Sequence, residues 1–246
     1  MTVISPIHKY CLKSAEHYAI ILGYCIHNCI VSLSGIITRR IFMKKYDTKK
    51  LVLLALLTGL LVLMAFTPIG YLNIGPLSIT FNMIPVAIGA VALGPTGGAV
   101  LGVVFGITSF AQCFGISAFG TVLCGISPLL TLIVTIGSRT LAGYLTGVVS
   151  SLLRKAPAPV NFAVTGLAGA VLNTLFFMTL LMVCFGSSDY IMSMRGELNV
   201  LAFVAAFVGI NAVVEAVVST VLTLAVSMGL KSAKLIGNNG SESSKA

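Results

Sequence analysis

The sequence predicts an all-α membrane protein, a bundle of six transmembrane helices. Hydrophobic residues make up 57% of its 246 residues and charged residues only 9%, which is far more apolar than a soluble domain of this length. Neither acidic, basic nor histidine residues occur from residue 51 to residue 138, and a second such run extends from residue 156 to residue 188. Basic residues stand beside these runs. Together these observations place most of the chain in a lipid bilayer.

The length of the apolar sequence sets the number of predicted spans. One helical crossing requires about 20 mostly apolar residues, and the chain after residue 51 accommodates six once turns are subtracted. Glycine and proline mark the turn between the second and third spans. The predicted spans are residues 51–67, 80–93, 97–113, 127–153, 160–185 and 200–230.

Basic residues mark one side of the predicted bundle. They precede the first span, follow the fourth and follow the sixth, so an even number of crossings separates the clusters. Because Lys and Arg accumulate in cytoplasmic loops, both ends of the bundle are predicted to be cytoplasmic. The opposite side receives residues 68–79, 114–126 and 186–199. The basic clusters are Lys44, Lys45, Lys49 and Lys50, then Arg154 with Lys155, and finally Lys231 with Lys234.

The chain divides into three predicted parts. Residues 43–234 form one membrane domain, and residues 235–246 form a flexible polar tail. Residues 1–42 hold all three histidines and are predicted to be an extension outside the functional fold, which then begins near Met43. Cys25, His27 and Cys29 in this extension lack a second ligand cluster. We therefore predict no metal site, and no cofactor is expected.

Small residues recur at helical spacing in two spans. Gly94, Gly98, Gly102 and Gly106 recur every four residues, which predicts a smooth face where another membrane helix approaches closely. Ala55 and Gly59 form a similar pair in the first span. Packing within the bundle is one interpretation of that pair, and a docking face for another membrane subunit is the other.

Polar residues within the spans are the candidates for a site. A charged side chain near the bilayer centre costs about 2.5 to 3.5 kcal/mol, and Arg139 and Glu215 are the two charged residues inside the predicted spans. Arg139, Asn173 and Asn211 each lie 12 or 13 residues from the outer end of their span, about 18 to 20 Å deep. Glu215 shares a helix face with Asn211 because residues four apart align.

Two interpretations of this cluster stay open. Arg139 and Glu215 either form a buried ion pair that fixes helix packing, or they form the floor of a cavity in which Arg139 binds a substrate carboxylate. Tyr71, Asn82 and Gln112 lie nearer the predicted outer surface. Asn82 and Gln112 are candidates for the mouth of that cavity, and Tyr71 with Phe114 for its cover, with interfacial anchoring as the alternative for all four.

Several segments resemble one transporter family. IGPLSITF at residues 74–81 is followed by LGPTGG at 93–98 and GVVFGITS at 102–109. Asn173-Thr174 and GINAVVEA at 209–216 complete the set. In order and spacing, these segments resemble the substrate-binding S components of energy-coupling-factor (ECF) vitamin transporters over residues 43–234. The last two resemble the pantothenate-type branch in particular.

The resemblance implies a six-helix S component with a substrate pocket facing outward, in a multi-pass protein of the cell membrane. It also implies a coupling membrane subunit that contacts small residues of the first helix, here Ala55 and Gly59, and two separate ATPases. Consistent with ATPases on separate chains, this sequence contains no GxxxxGK[ST] phosphate-binding motif. Transport then involves the whole subunit tipping in the membrane.

Other functional classes fit the sequence less well. An enzyme is not predicted, since residues 43–246 contain no histidine, HExxH or GxSxG motif. The net charge of +9 does not indicate a nucleic-acid partner, because no basic patch carries interleaved aromatic residues. A channel or scaffold is the remaining alternative. A cationic Arg139 with amides suits a small carboxylate-bearing vitamin, and pantothenate is favoured by the resemblance, with other vitamins or metabolites as alternatives.

Overall fold

The computed structural model describes residues 48–67, 71–74, 77–196 and 198–233, with the backbone alone at 71–74 and 77–79 and at several positions of 200–210. The chain divides into two units, Met1–Thr48 and Lys49–Ala246, and the features below belong to the second. The predicted extension at residues 1–42, the start near Met43 and the tail at residues 235–246 lie outside the described residues.

Helices form nearly all of the described structure. A π-helical turn, Ile133–Gly137, joins α4 to α5, and a 3₁₀ turn, Leu153–Lys155, extends α5. The elements in chain order are α1 Thr48–Ala65, β1 Tyr71–Ile74, β2 Leu77–Thr80, α2 Met83–Gln112, α3 Ala118–Ile126, α4 Pro128–Leu132, α5 Ser138–Leu152, α6 Ala158–Phe185, α7 Asp189–Arg195 and α8 Val200–Ser232.

Helix α2 consists of two arms that meet at Gly94. Gly94 has φ 77° and ψ −163°, a conformation that glycine adopts without the steric cost of a side chain. A methyl group added at Gly98 would lie 3.2 Å from Cβ of Ala90, whereas residues eight apart in a straight helix are separated by about 12 Å. The chain therefore turns back at Gly94, where the sequence predicted a turn between two spans.

Five helical segments within the described residues are long and apolar enough to cross a membrane. They confirm the predicted helical membrane protein. This number treats Met83–Gln112 as one segment and joins Pro128–Lys155 into another. The predicted number of six requires each arm of α2 to cross, and it stays a prediction.

Three connecting elements were not predicted. Strands β1 and β2 form an antiparallel hairpin in which Tyr71 pairs with Thr80. Helices α3 and α7 are short, and a serine side chain caps each N-terminus: Ser117 Oγ accepts from the amide of Gly120 over 3.2 Å, and Ser188 Oγ accepts from that of Ile191 over 3.4 Å. All three elements occupy connections assigned to the outer side, so this face of the bundle is structured.

The glycine stripe packs the second arm of α2 against the helix that contains Arg139. Side chains at Gly98 and Gly102 would collide with the carbonyl oxygens of Gly143 and Arg139, and one at Gly106 would lie 2.6 Å from Cα of Ile136. The predicted close approach is thus present, and its partner is α5 with the π-helical turn before it.

Helix α1 packs on the bundle through one row of side chains. Leu53, Leu57, Leu61 and Ala65 are buried and recur every four residues, so they form one face of the helix. The leucines join a core cluster with Ile84, Leu101 and Phe105 among others. Burial of such side chains stabilises each by about 1.5 to 3 kcal/mol in a soluble protein, but in lipid the gain comes from packing alone.

The pair Ala55 and Gly59 lies on the opposite part of α1. Both residues are exposed, and a methyl group added at Gly59 would meet no atom of the described residues within 4 Å. The pair therefore does not pack within the described bundle. Of the two interpretations drawn from the sequence, packing against the described part of the chain does not apply at Gly59.

Candidate functional site

Glu215 joins three elements inside the bundle. Its Oε1 accepts a hydrogen bond from Oγ1 of Thr80 over 3.3 Å and another from Nδ2 of Asn173 over 3.3 Å. Only 8% of Glu215 and 6% of Asn173 are exposed. A buried carboxylate requires such donors, because burial removes the hydrogen bonds that water would donate to its oxygens and an unpaired oxygen costs free energy. The end of β2, helix α6 and helix α8 consequently meet at Glu215.

Arg139 lies between two aromatic rings. Its guanidinium carbon is 4.3 Å from the ring centre of Phe177 and 5.4 Å from that of Phe105, within the range of cation–π attraction. Its Nη1 donates to Oγ of Ser138 over 2.9 Å. The charges of Arg139 and Glu215 also interact electrostatically. These contacts hold the guanidinium in the interior, where only 8% of the residue is exposed.

Local structure around Arg139 positions it. The π-helical turn Ile133–Gly137 ends directly before Ser138 and Arg139, and such turns occur frequently at functional sites. Gly102 allows the backbone of Arg139 to approach α2, and Phe105 follows Gly102 on the same arm. The glycine stripe and the π-helical turn together bring the guanidinium over the Phe105 ring.

Asn173 presents an acceptor to the interior. Its Nδ2 donates to Glu215, while its Oδ1 is buried and accepts no hydrogen bond within the described part of the chain. Buried polar atoms in native proteins are hydrogen-bonded in the large majority of cases. Asn211 lies one helical turn before Glu215 and is half-buried. Arg139, Asn173 and Glu215 therefore form one cluster, with Asn211 next to it along α8.

Asn82 and Gln112, the candidates for the mouth of the cavity, and Tyr71, a candidate for its cover, lie in different parts of the fold. Asn82 is completely buried directly before α2. Gln112 donates from Nε2 to the carbonyl oxygen of Ala65, one of the last carbonyls of α1, which have no partner within their own helix. The side chain of Tyr71 lies outside the described residues. The roles of these three at the mouth and cover stay predictions, and the observed role of Gln112 is to tie α1 to α2.

Four contributors to the cluster were missed in the sequence. Phe177 follows Asn173 by one helical turn on α6, and Ser138 adjoins Arg139, so the spacing around the two polar residues is a signal for both. Thr80 was assigned to the start of a span, although it ends β2 and bonds Glu215. Nothing in the sequence distinguishes Phe105 from other apolar residues of its span.

Comparison with known families decides what this membrane bundle is. A family model described as the ECF transporter, substrate-specific component, matches residues 49–227. The chain belongs to this family. A search of curated proteins finds no match.

Family membership establishes the general function. The ECF S component is the substrate-binding subunit of an importer, a transport protein and not an enzyme. Such subunits work with a membrane coupling subunit and ATPases, and they bind a small substrate. The protein is accordingly a multi-pass membrane protein. Residues 49–227 include every polar residue of the buried cluster.

Proposed function

We propose that this S component captures a small carboxylate-bearing vitamin from the outer face and that pantothenate is its substrate. The observation that carries the proposal is the buried Oδ1 of Asn173, which accepts no hydrogen bond within the described residues although it adjoins Glu215. A ligand hydroxyl or amide N–H would supply the donor that this acceptor lacks.

Arg139 is proposed to recognise the substrate carboxylate. A guanidinium carries five N–H donors in a planar fork that matches a carboxylate. The rings of Phe105 and Phe177 contact it through their faces, where the electrons of the ring attract a cation. The charge on Arg139 thereby has two uses: it interacts with Glu215 and it attracts an anionic ligand.

Asn173 and Glu215 are proposed to bind the uncharged polar end of the substrate. Both present acceptor oxygens, so they favour a ligand with hydroxyl and amide donors at a distance from its carboxylate. Pantothenate has one carboxylate, two hydroxyls and an amide, which fits this division of donors and acceptors. Asn211, Asn82, Gln112 and Tyr71 are proposed as further contacts along the route from the outer face.

Ala55 and Gly59 are proposed to contact the coupling membrane subunit. Both are exposed on α1, and a Cβ atom at Gly59 would have no neighbour within 4 Å in the part of the chain that the structure describes. Small residues allow a partner helix to approach the backbone closely. We further propose that both ends of the bundle face the cytoplasm, as the positions of its Lys and Arg residues predict.

The identity of the substrate is tested on the purified subunit. Mass spectrometry of the small molecule that it retains should detect pantothenate. Thermal unfolding should shift upward with pantothenate and not with other vitamins, since ligand at 100 times its Kd adds about 2.7 kcal/mol to stability. If another vitamin raises the unfolding temperature and pantothenate does not, that vitamin is the substrate instead. The absence of any shift across a vitamin panel would contradict the vitamin class.

A further inference from the structure

A concavity lies away from the polar cluster, between α1, the first arm of α2 and α8. Its volume is about 240 Å³, and its lining consists of leucine, isoleucine, valine, methionine and proline side chains. Leu57, Ile88 and Val226 are examples from the three walls. Because Arg139, Asn173 and Glu215 do not line it, this apolar groove is distinct from the candidate substrate site.

The apolar groove opens toward the lipid side of the bundle. Leu56 and Leu60 line it on α1 and Val226 lines it on α8, and these residues are 62%, 41% and 43% exposed. Helices α1 and α8 both belong to candidate membrane spans. This surface therefore faces the hydrocarbon core of the bilayer. A lipid acyl chain matches its lining, because neither has polar groups that require hydrogen bonds.

Lysines stand at one end of the apolar groove. Lys49 and Lys50 precede the lining residue Leu53 by four and three positions, so they share its helix face. Lys231 directly follows the lining residue Leu230 near the end of α8. The lining between them is uncharged, and the three lysines belong to the first turn of α1 and the last turn of α8, the two helices that wall the groove on its lipid side. Basic groups between helix ends at a membrane surface bind lipid head groups.

We propose that this groove is a binding site for one anionic phospholipid. An acyl chain lies between α1 and α8, and the phosphate lies against Lys49, Lys50 and Lys231. Helix α1 contacts the bundle through its row of leucines, and the lipid chain extends that apolar contact along its neighbouring face. The exposed Ala55 and Gly59 lie on α1 beside the groove residues Leu56 and Leu60, so the bound lipid borders the surface proposed for the coupling subunit.

The head-group part of the proposal is tested by lipid counting. The full chain is reconstituted with equal amounts of phosphatidylglycerol and phosphatidylcholine of identical acyl chains, extracted in mild detergent and measured by native mass spectrometry. We expect one retained phosphatidylglycerol per chain. Each lysine near a membrane surface contributes about a fivefold preference for anionic lipid, so the triple variant K49Q/K50Q/K231Q should lower that preference about a hundredfold. Equal retention of the two lipids by the unmodified chain would overturn the proposal.

Matched variants separate this site from general attraction to basic residues. R154Q/K155Q removes two charges from the exposed turn after α5, and it should leave the retained lipid unchanged. Val226→Phe fills the groove and should reduce retention at least tenfold, whereas Val221→Phe, at an exposed position of the same helix outside the lining, should not. Equal effects of the two phenylalanine variants, or of the two charge variants, would contradict the site. The lipid count requires no vitamin, so its result is independent of the substrate proposal.

Discussion

The amide of Asn173 donates to the carboxylate of Glu215 over 3.3 Å, and this bond joins α6 to α8 inside the bundle. It uses one end of the amide and leaves Oδ1 buried without a donor among the described residues. One side chain thereby both fixes a helix contact and presents an acceptor to the interior. Loss of the helix contact should lower stability, whereas loss of the acceptor should weaken ligand binding.

Asn173→Ala should weaken both stability and substrate binding. Loss of a hydrogen bond to a charged group costs about 1.5 to 3 kcal/mol, and loss of the acceptor should raise the Kd for pantothenate about tenfold. Thermal unfolding with and without ligand measures both effects. Asn161→Ala is the control, because Asn161 on the same helix bonds the carbonyls of Ser150 and Leu153 over 3.1 and 3.2 Å. It should lower stability and leave the Kd unchanged, and a similar Kd change in both variants would contradict a ligand contact at Asn173.

Arg139→Ala should reduce uptake far more than folding. Truncating one partner of a buried charge pair costs about 2 to 5 kcal/mol of binding, or roughly thirtyfold or more in Kd. Arg139→Lys keeps the charge and removes the planar fork, so it should recover part of the affinity. Exposed Arg154→Ala should leave binding unchanged. If the Arg139→Ala subunit fails to insert or stay folded, the buried ion pair of Arg139 and Glu215 becomes the better account of both residues.

Helical periodicity and charge predicted the framework of the fold. The reversal at Gly94 and the close approach of the glycine stripe follow from local rules, because positive φ and small side chains leave a direct trace in the sequence. The sequence also predicted that Arg139, Asn173 and Asn211 lie at equal depth in separate spans, with Glu215 one helical turn from Asn211 on the same face. The depth of a residue in the membrane can be estimated from the sequence, because the ends of the apolar runs are recognisable.

The sequence did not predict which groups surround those polar residues. Thr80 bonds Glu215 although 135 positions separate them, and the hairpin that presents Thr80 replaces the beginning of a predicted helix. Gln112 bonds the carbonyl of Ala65, which depends on the angle between α1 and α2. Which side chains meet depends on how each helix is rotated about its own axis. In a span that is apolar on every face, the sequence gives little indication of that rotation.

Gly106→Ala should destabilise the bundle. The added methyl group would lie 2.6 Å from Cα of Ile136 and 3.1 Å from the carbonyl oxygen of Thr135, and backbone atoms yield only if the whole helix shifts. Overpacking of this kind costs about 1 to 3 kcal/mol, and the shift would also displace Arg139. Gly229→Ala, where the added methyl group would meet no described residue within 4 Å, should be neutral or stabilising by up to about 1 kcal/mol. Thermal unfolding of the two variants compares them, and equal stability would contradict tight packing at Gly106.

Gly59→Leu should separate substrate capture from transport. Because a Cβ atom at Gly59 would meet no described residue within 4 Å, the leucine should leave the folding and the pantothenate affinity of the isolated subunit unchanged. The same side chain would keep a partner helix from approaching α1 closely, so assembly with the coupling subunit and ATP-driven uptake into proteoliposomes should fall at least tenfold. Val221→Leu enlarges an exposed residue on α8 and should affect neither process. Full uptake by the Gly59→Leu subunit would show that the coupling subunit docks elsewhere, since a leucine at the centre of a close helix contact cannot be accommodated without separating the two backbones.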